Sequence, residues 1–170
     1  MLALALLSVP AHAQQRDSDP ESDEEKQGWQ EIQAEIPAYP KPENLVQLVT
    51  GNAASHRFYI DTTSLSLTED GVMHYTALVK TAGGATNVTF EGMRCKTREH
   101  KLYAVGRNDG TWVRARDPKW QRIELREPNP YRYVLYREFF CAERTLPTKP
   151  QRAAEALKRG IGLAGGATTY

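Results

Sequence analysis

A series of turn signals at short intervals between Phe58 and Trp112 limits what this chain can fold into. Asp70-Gly71, Gly83-Gly84 and Asn108-Asp109-Gly110 all tolerate the left-handed backbone of tight hairpin turns. The segments between them alternate as strands do. In Val72–Lys80, Tyr75, Ala77 and Val79 share one face, and His74, Thr76, Leu78 and Lys80 share the other. Further strands are expected over Leu45–Val49, Arg57–Ile60, Thr86–Cys95, Lys101–Arg107, Thr111–Arg114 and Trp120–Leu125. Asp61 stands where it would cap a single helical turn over Thr62–Leu65. Within Thr86–Cys95, Val88 and Phe90 have one parity, Met93 and Cys95 the other, and Gly92 lies between. A bulge at Gly92 would bring all four to one core.

The period changes after Asn129-Pro130, a cap followed by a proline suited to the first helical position. Tyr131, Val134, Leu135, Glu138 and Phe139 recur at helical spacing, so a helix is expected over 131–143 with Cys141 in its last turn. A second, thinner helix should run from Gln151 to Arg159 and stop at Gly160. The fold class is therefore α+β: an antiparallel sheet of about five or six strands with a C-terminal helix packed on one face.

The start of the chain points to export. Leu2–Val9 is an apolar run and Ala11-His12-Ala13 fits a cleavage site, so residues 1–13 read as a signal peptide, truncated in lacking a basic start. Residues 14–28 are acidic and polar and read as a disordered leader. Trp29, Ile32 and Ile36 have helical spacing, but Pro37, Pro40 and Pro42 stop a longer helix, and 37–44 should be an extended connector on the domain surface. A single domain is assigned to 29–145, with a short helix and flexible Gly-rich tail at 146–170. An exported chain with only two cysteines favours pairing them. A Cys95–Cys141 bond would pin helix to sheet, and the chain-entropy model gives it roughly 4 kcal/mol. The other reading is two buried thiols.

Motifs for the commonest chemistries are missing. No G-x-S-x-G, H-E-x-x-H or P-loop string occurs. Gly160–Gly165 matches G-x-G-x-x-G, but it follows a helix rather than a strand, so the dinucleotide reading fails. His74 reads as an outward or half-buried strand residue rather than a general base. No cofactor, metal, catalytic residue or transmembrane span is expected. The formal net charge is only +1. Ten bases against four acids nevertheless fall between Arg94 and Arg126, with Tyr103, Trp112 and Trp120 interleaved. Without residues 1–25 the chain keeps 21 basic and 15 acidic groups, a mildly basic balance below that of a dedicated nucleic-acid binder. Arg94, Lys96, Arg98, Tyr103, Arg107 and Trp112 form a candidate binding face for an envelope protein or an anionic surface component. The alternative is that the bases solvate edge strands and block sheet-to-sheet aggregation.

Four runs, Phe58–Leu65, Asp70–Tyr75, Asn87–Cys95 and Leu102–Trp112, resemble the cryptic neisserial protein-like family of exported proteobacterial proteins. The segment Asn87-x-x-x-Glu91-Gly92-x-Arg94-Cys95 is the most specific part. The start at Tyr59-Ile60-Asp61 is similar, over a shorter stretch, to protein E-like surface adhesins. The resemblance implies an exported protein and no catalytic residues. Many members of the first family look like lipoproteins, and this chain lacks their lipidated cysteine. The expected function is a non-enzymatic binding or accessory module of the cell envelope, periplasmic, outer-membrane associated or surface exposed. The alternatives are a periplasmic hydrolase of unfamiliar type and a purely structural envelope protein. Convergent polar groups with perturbed pKa values in a cleft would favour the hydrolase.

Overall fold

The computed structural model describes residues 28–50, 56–125 and 130–163. The signal peptide, most of the acidic leader, Asn129 and the tail from residue 164 lie outside them. Six strands run as a meander, each antiparallel to its sequence neighbour: β1 Leu45–Leu48, β2 His56–Leu67, β3 Val72–Thr81, β4 Thr86–Arg94, β5 Glu99–Gly106 and β6 Trp112–Arg114. A seventh, β7 (Gln121–Arg122), pairs with the start of β5, whose end pairs with β6. The turns are those the sequence marks: Gly71, Gly84 and Gly110 all have φ above +80°, a region that glycine enters without strain.

One face of the sheet is covered by helices. α1 (Tyr131–Val134) continues as a wider π-helical turn over Leu135–Phe140, and α2 spans Pro150–Arg159. The helix is thus shorter than the periodicity predicts. Cys141 lies just past its end, and the Cys141 N–H donates to Tyr136 O at 2.9 Å. The wide turn lets the adjacent Phe139 and Phe140 both reach the core, which regular 3.6-residue spacing does not readily allow. Phe58, Ile60, Met73, Tyr75, Met93 and Ile123 meet Tyr131, Leu135 and Phe140 in one apolar cluster. α2 begins with Pro150 and ends at Gly160 in the left-handed conformation, as its sequence signals require. Its stripe of Ala153, Ala156 and Leu157 is fully buried in that same cluster. Disulfide Cys95–Cys141 joins the end of β4 to the end of the π turn, with Cα atoms 5.3 Å apart.

The opposite face is covered by the chain before β1. Residues 29–41 carry no regular secondary structure, and the helical spacing of Trp29, Ile32 and Ile36 is not used. They form a strap instead, whose Ala34 and Ile36 pack on Phe90, Tyr103, Ala104 and Trp112. A short 3-10 turn, Pro42–Asn44, leads from it into β1.

This second covered face removes the need for a bulge at Gly92. β3 and β4 pair in unbroken register from Val72↔Arg94 to Lys80↔Thr86. Val88 and Phe90 belong to the strap face and Met93 and Cys95 to the helix face, so both parities are buried. The irregularity lies across from β5, between Phe90 and Glu91, where Tyr103 is the extra residue between Leu102 and Ala104. Gly92 serves instead to make room for that tyrosine, because a Cβ there would stand 2.7 Å from the Tyr103 ring and 2.9 Å from Val72. The helical turn expected after Asp61 is also absent. β2 runs through it with a register shift between Asp61 and Ser66. Asp61 caps that irregularity, its Oδ1 accepting from the N–H and hydroxyl of Thr63 at 2.9 and 2.7 Å.

Candidate functional site

Glu91 is the most heavily engaged polar side chain of the interior. It sits on β4, fully buried on the helix face. Its Oε1 accepts from Tyr131 Oη at 2.6 Å, Thr89 Oγ1 at 2.9 Å and Arg132 Nη2 at 2.9 Å. Its Oε2 accepts from Tyr75 Oη at 2.8 Å and Arg132 Nε at 2.9 Å, and His100 Nδ1 lies 4.0 Å away. Burial works against the charge, but the paired Arg132 guanidinium and the Tyr131 hydrogen bond outweigh it and hold the carboxyl at about 2. Burial and the neighbouring carboxylate push both tyrosine hydroxyls well above their ordinary value. Arg132 and His100 also line a recess of about 200 Å³ with Lys119 and Gln121. A carboxylate ionised this firmly, with both oxygens saturated, is poorly matched to proton transfer near neutrality. What the arrangement does is tie α1 to β3 and β4.

The strap face carries a second acidic anchor. Glu31 accepts from Lys101 Nζ at 2.7 Å, Tyr103 Oη at 2.8 Å and Trp120 Nε1 at 3.2 Å. Burial opposes its ionisation, and these three donors together hold its pKa below the ordinary carboxylate value. Trp29 stacks on the Arg94 guanidinium, 3.7 Å from ring centre to Cζ, and donates to Asp70 O. Trp112 donates to Pro37 O at 3.0 Å, and Tyr39 donates to Arg107 O at 2.9 Å. His74 is buried on this face between Phe90 and Tyr103, and burial lowers its pKa despite Asp70 and Glu31.

The six residues of the candidate binding face therefore occupy different surroundings. Arg94, Tyr103 and Trp112 meet the strap. Arg107 is exposed at the β5–β6 turn. Lys96 is exposed and Arg98 half-buried, both in the turn after Cys95. Arg98 faces the helix end, its Cζ 5.5 Å from the Tyr133 ring and 5.9 Å from the Tyr136 ring. There it lines a recess of about 330 Å³ with Tyr133, Tyr136, Arg137, Cys141, Ala142 and Arg144. The disulfide brings these two segments, distant in sequence, to one end of the molecule.

Sequence reasoning did not single out Glu91, Tyr75, Tyr131, Arg132 or Glu31. A signal for the first was present: Thr89 and Glu91 share the parity of Met93 and Cys95, and a carboxylate on a buried parity demands a cation. Arg132, two residues after the helix-starting Pro130, is that cation.

Fold and site together define a disulfide-stapled antiparallel sheet, helices on one face and a strap on the other, with Glu91 and Glu31 each paired to several donors. No helix among the described residues is long and apolar enough to cross a membrane. Nor do three or more His, Cys, Asp or Glu among them gather as a metal site. The chain belongs to the CNP1-like family, whose model matches residues 24–158. That agrees with the resemblance seen in its sequence. No curated protein and no solved structure matches it. Family membership and the disulfide together suggest an exported protein.

Proposed function

We propose that this protein is a non-enzymatic module of the Gram-negative cell envelope that binds an anionic surface component. The observation that carries the reading is the gathering of bases at the disulfide end: Lys96 and Arg98 from the turn after β4, Arg137 from the π turn and Arg144 from the bend after Cys141. The apolar run at residues 2–9 and the cleavage-like Ala11-His12-Ala13 support export. The locked state of Glu91 supports binding over hydrolysis, because this carboxylate, held at about 2, is a poor proton acceptor near neutrality.

Co-sedimentation with isolated outer-membrane fragments tests the proposal. The protein should pellet with them at about 0.01 M salt. It should be released at about 1 M, where the screening length falls from about 30 Å to about 3 Å. Protein that stays in the supernatant at both salts would overturn the reading.

A further inference from the structure

We infer that the recess formed by Arg98, Arg137 and Arg144 with Tyr133 and Tyr136 is a binding site for a phosphate group. This deepens the proposed function and rests on it only for the source of that phosphate, a lipid or glycolipid head group of the envelope.

Three observations carry the inference. The first is charge. Three guanidinium groups line one recess of about 330 Å³. One of them has a nearby acid, since Glu138 Oε1 lies 3.4 Å from Arg137 Nε. Arg98 and Arg144 have no carboxylate partner among the described residues. The site therefore has an excess of about two positive charges, which a phosphate matches better than a monovalent carboxylate does.

The second is an unsatisfied donor. Arg98 Nε is buried and donates to no group among the described residues. A buried guanidinium N–H without an acceptor is unfavourable unless something arrives to accept it. The two tyrosines do not supply that acceptor. Tyr133 Oη accepts from Arg137 at 3.2 Å, and Tyr136 Oη donates to Arg144 O at 3.3 Å, so the ring hydroxyls position the arginines.

The third is backbone strain. Among the described residues, Arg98 (φ 54°) and Arg144 (φ 64°) are the non-glycine residues with left-handed backbone. Both line this recess. Glycine would be the unstrained choice at each position, and long cations held there in its place point to a role for the side chain.

Titration calorimetry with inorganic phosphate on the disulfide-intact protein tests the site. Vesicles of phosphatidylglycerol, with phosphatidylcholine as reference, test the source. The wild type should bind inorganic phosphate saturably. Arg98→Gly with Arg144→Gly should weaken it by about tenfold or more while leaving the thermal midpoint in place or raising it, since both changes relax the backbone. Arg137→Gln gives a second, exposed variant that should also weaken binding. Arg152→Ala, an exposed base on α2, should bind as the wild type does. Binding of phosphatidylglycerol vesicles in addition assigns the phosphate to a lipid. Binding of free phosphate without vesicles keeps the site and assigns it a soluble phosphate ester. No saturable uptake by the wild type, unchanged binding in the double variant, or an equal loss in Arg152→Ala would overturn the inference. The site can survive a failed co-sedimentation, and co-sedimentation can survive loss of the site, so the two outcomes are separable.

Discussion

At the scale of single residues, the segment Glu91-Gly92-x-Arg94-Cys95 concentrates the fold's tightest requirements. Glu91 clamps α1, Gly92 admits the Tyr103 ring, Arg94 receives Trp29, and Cys95 makes the disulfide. Replacing Glu91 by Gln leaves the largely buried Arg132 without its counter-charge, which should lower stability by about 3–5 kcal/mol in urea unfolding. The loss should depend on pH. A carboxyl held at about 2 in the fold, against its ordinary 4.5, contributes fully above pH 4.5, and the contribution disappears as pH falls towards 2. The wild type should therefore lose stability across that window, and Glu91→Gln should lack that component. His74 acts higher up the scale. Its lowered pKa means that the unfolded chain takes up the proton first, so stability should fall as pH drops through about 6.5 in both proteins. A Glu91→Gln curve parallel to wild type between pH 4.5 and 2 would show that the clamp is not what titrates. At Gly92 the contact is steric. Gly92→Ala should lower stability by about 1–3 kcal/mol, measured the same way, because Tyr103 and Val72 are both too close to accept a methyl group.

At the scale of elements, the helix that follows the sheet is fastened at both ends, by Arg132 on Glu91 at its start and by Cys141 on Cys95 just past its finish. Only the second fastening is legible in the sequence, because two cysteines in an exported chain announce their pairing and a buried ion pair does not. Replacing both cysteines by Ser should lower stability by about 4 kcal/mol, with the clamp still holding α1. Helical circular dichroism retained below the shifted unfolding midpoint would agree, and its loss in native buffer would not. Strand boundaries are readable because Gly and Asn-Asp-Gly turns mark them. The strap is not, because it has no periodicity of its own: its residues are placed by what they touch, Trp29 by Arg94, Glu31 by Lys101 and Tyr103, Ile36 by the sheet. The expected bulge at Gly92 has the same origin, since a sheet assumed bare on one side has no use for both parities of β4. The candidate site is still less legible. Arg98 stands out as one base among ten, but Arg137 and Arg144 join it only through the disulfide and the left-handed turns at 98 and 144.

At the scale of the whole molecule the two covered faces are unequal. The helix side holds the larger apolar cluster, with nineteen buried residues including all of the α2 stripe. The apolar cluster under the strap has only four buried residues, and that side depends on Glu31 and a few aromatic contacts besides. Layers with little buried apolar surface open at lower free energy than the core they lie on. The chain reports this difference without added probes, because all three of its tryptophans, Trp29, Trp112 and Trp120, belong to the strap face. The helices, by contrast, dominate far-ultraviolet circular dichroism. Tryptophan fluorescence should therefore change at lower urea than the circular dichroism does, and Glu31→Gln should widen the gap by loosening Lys101, Tyr103 and Trp120 together. Superimposable transitions in the wild type and in Glu31→Gln would mean that strap, sheet and helices fold as one unit. The strap would then be a third structural layer equal to the others rather than a cover laid over a finished sheet.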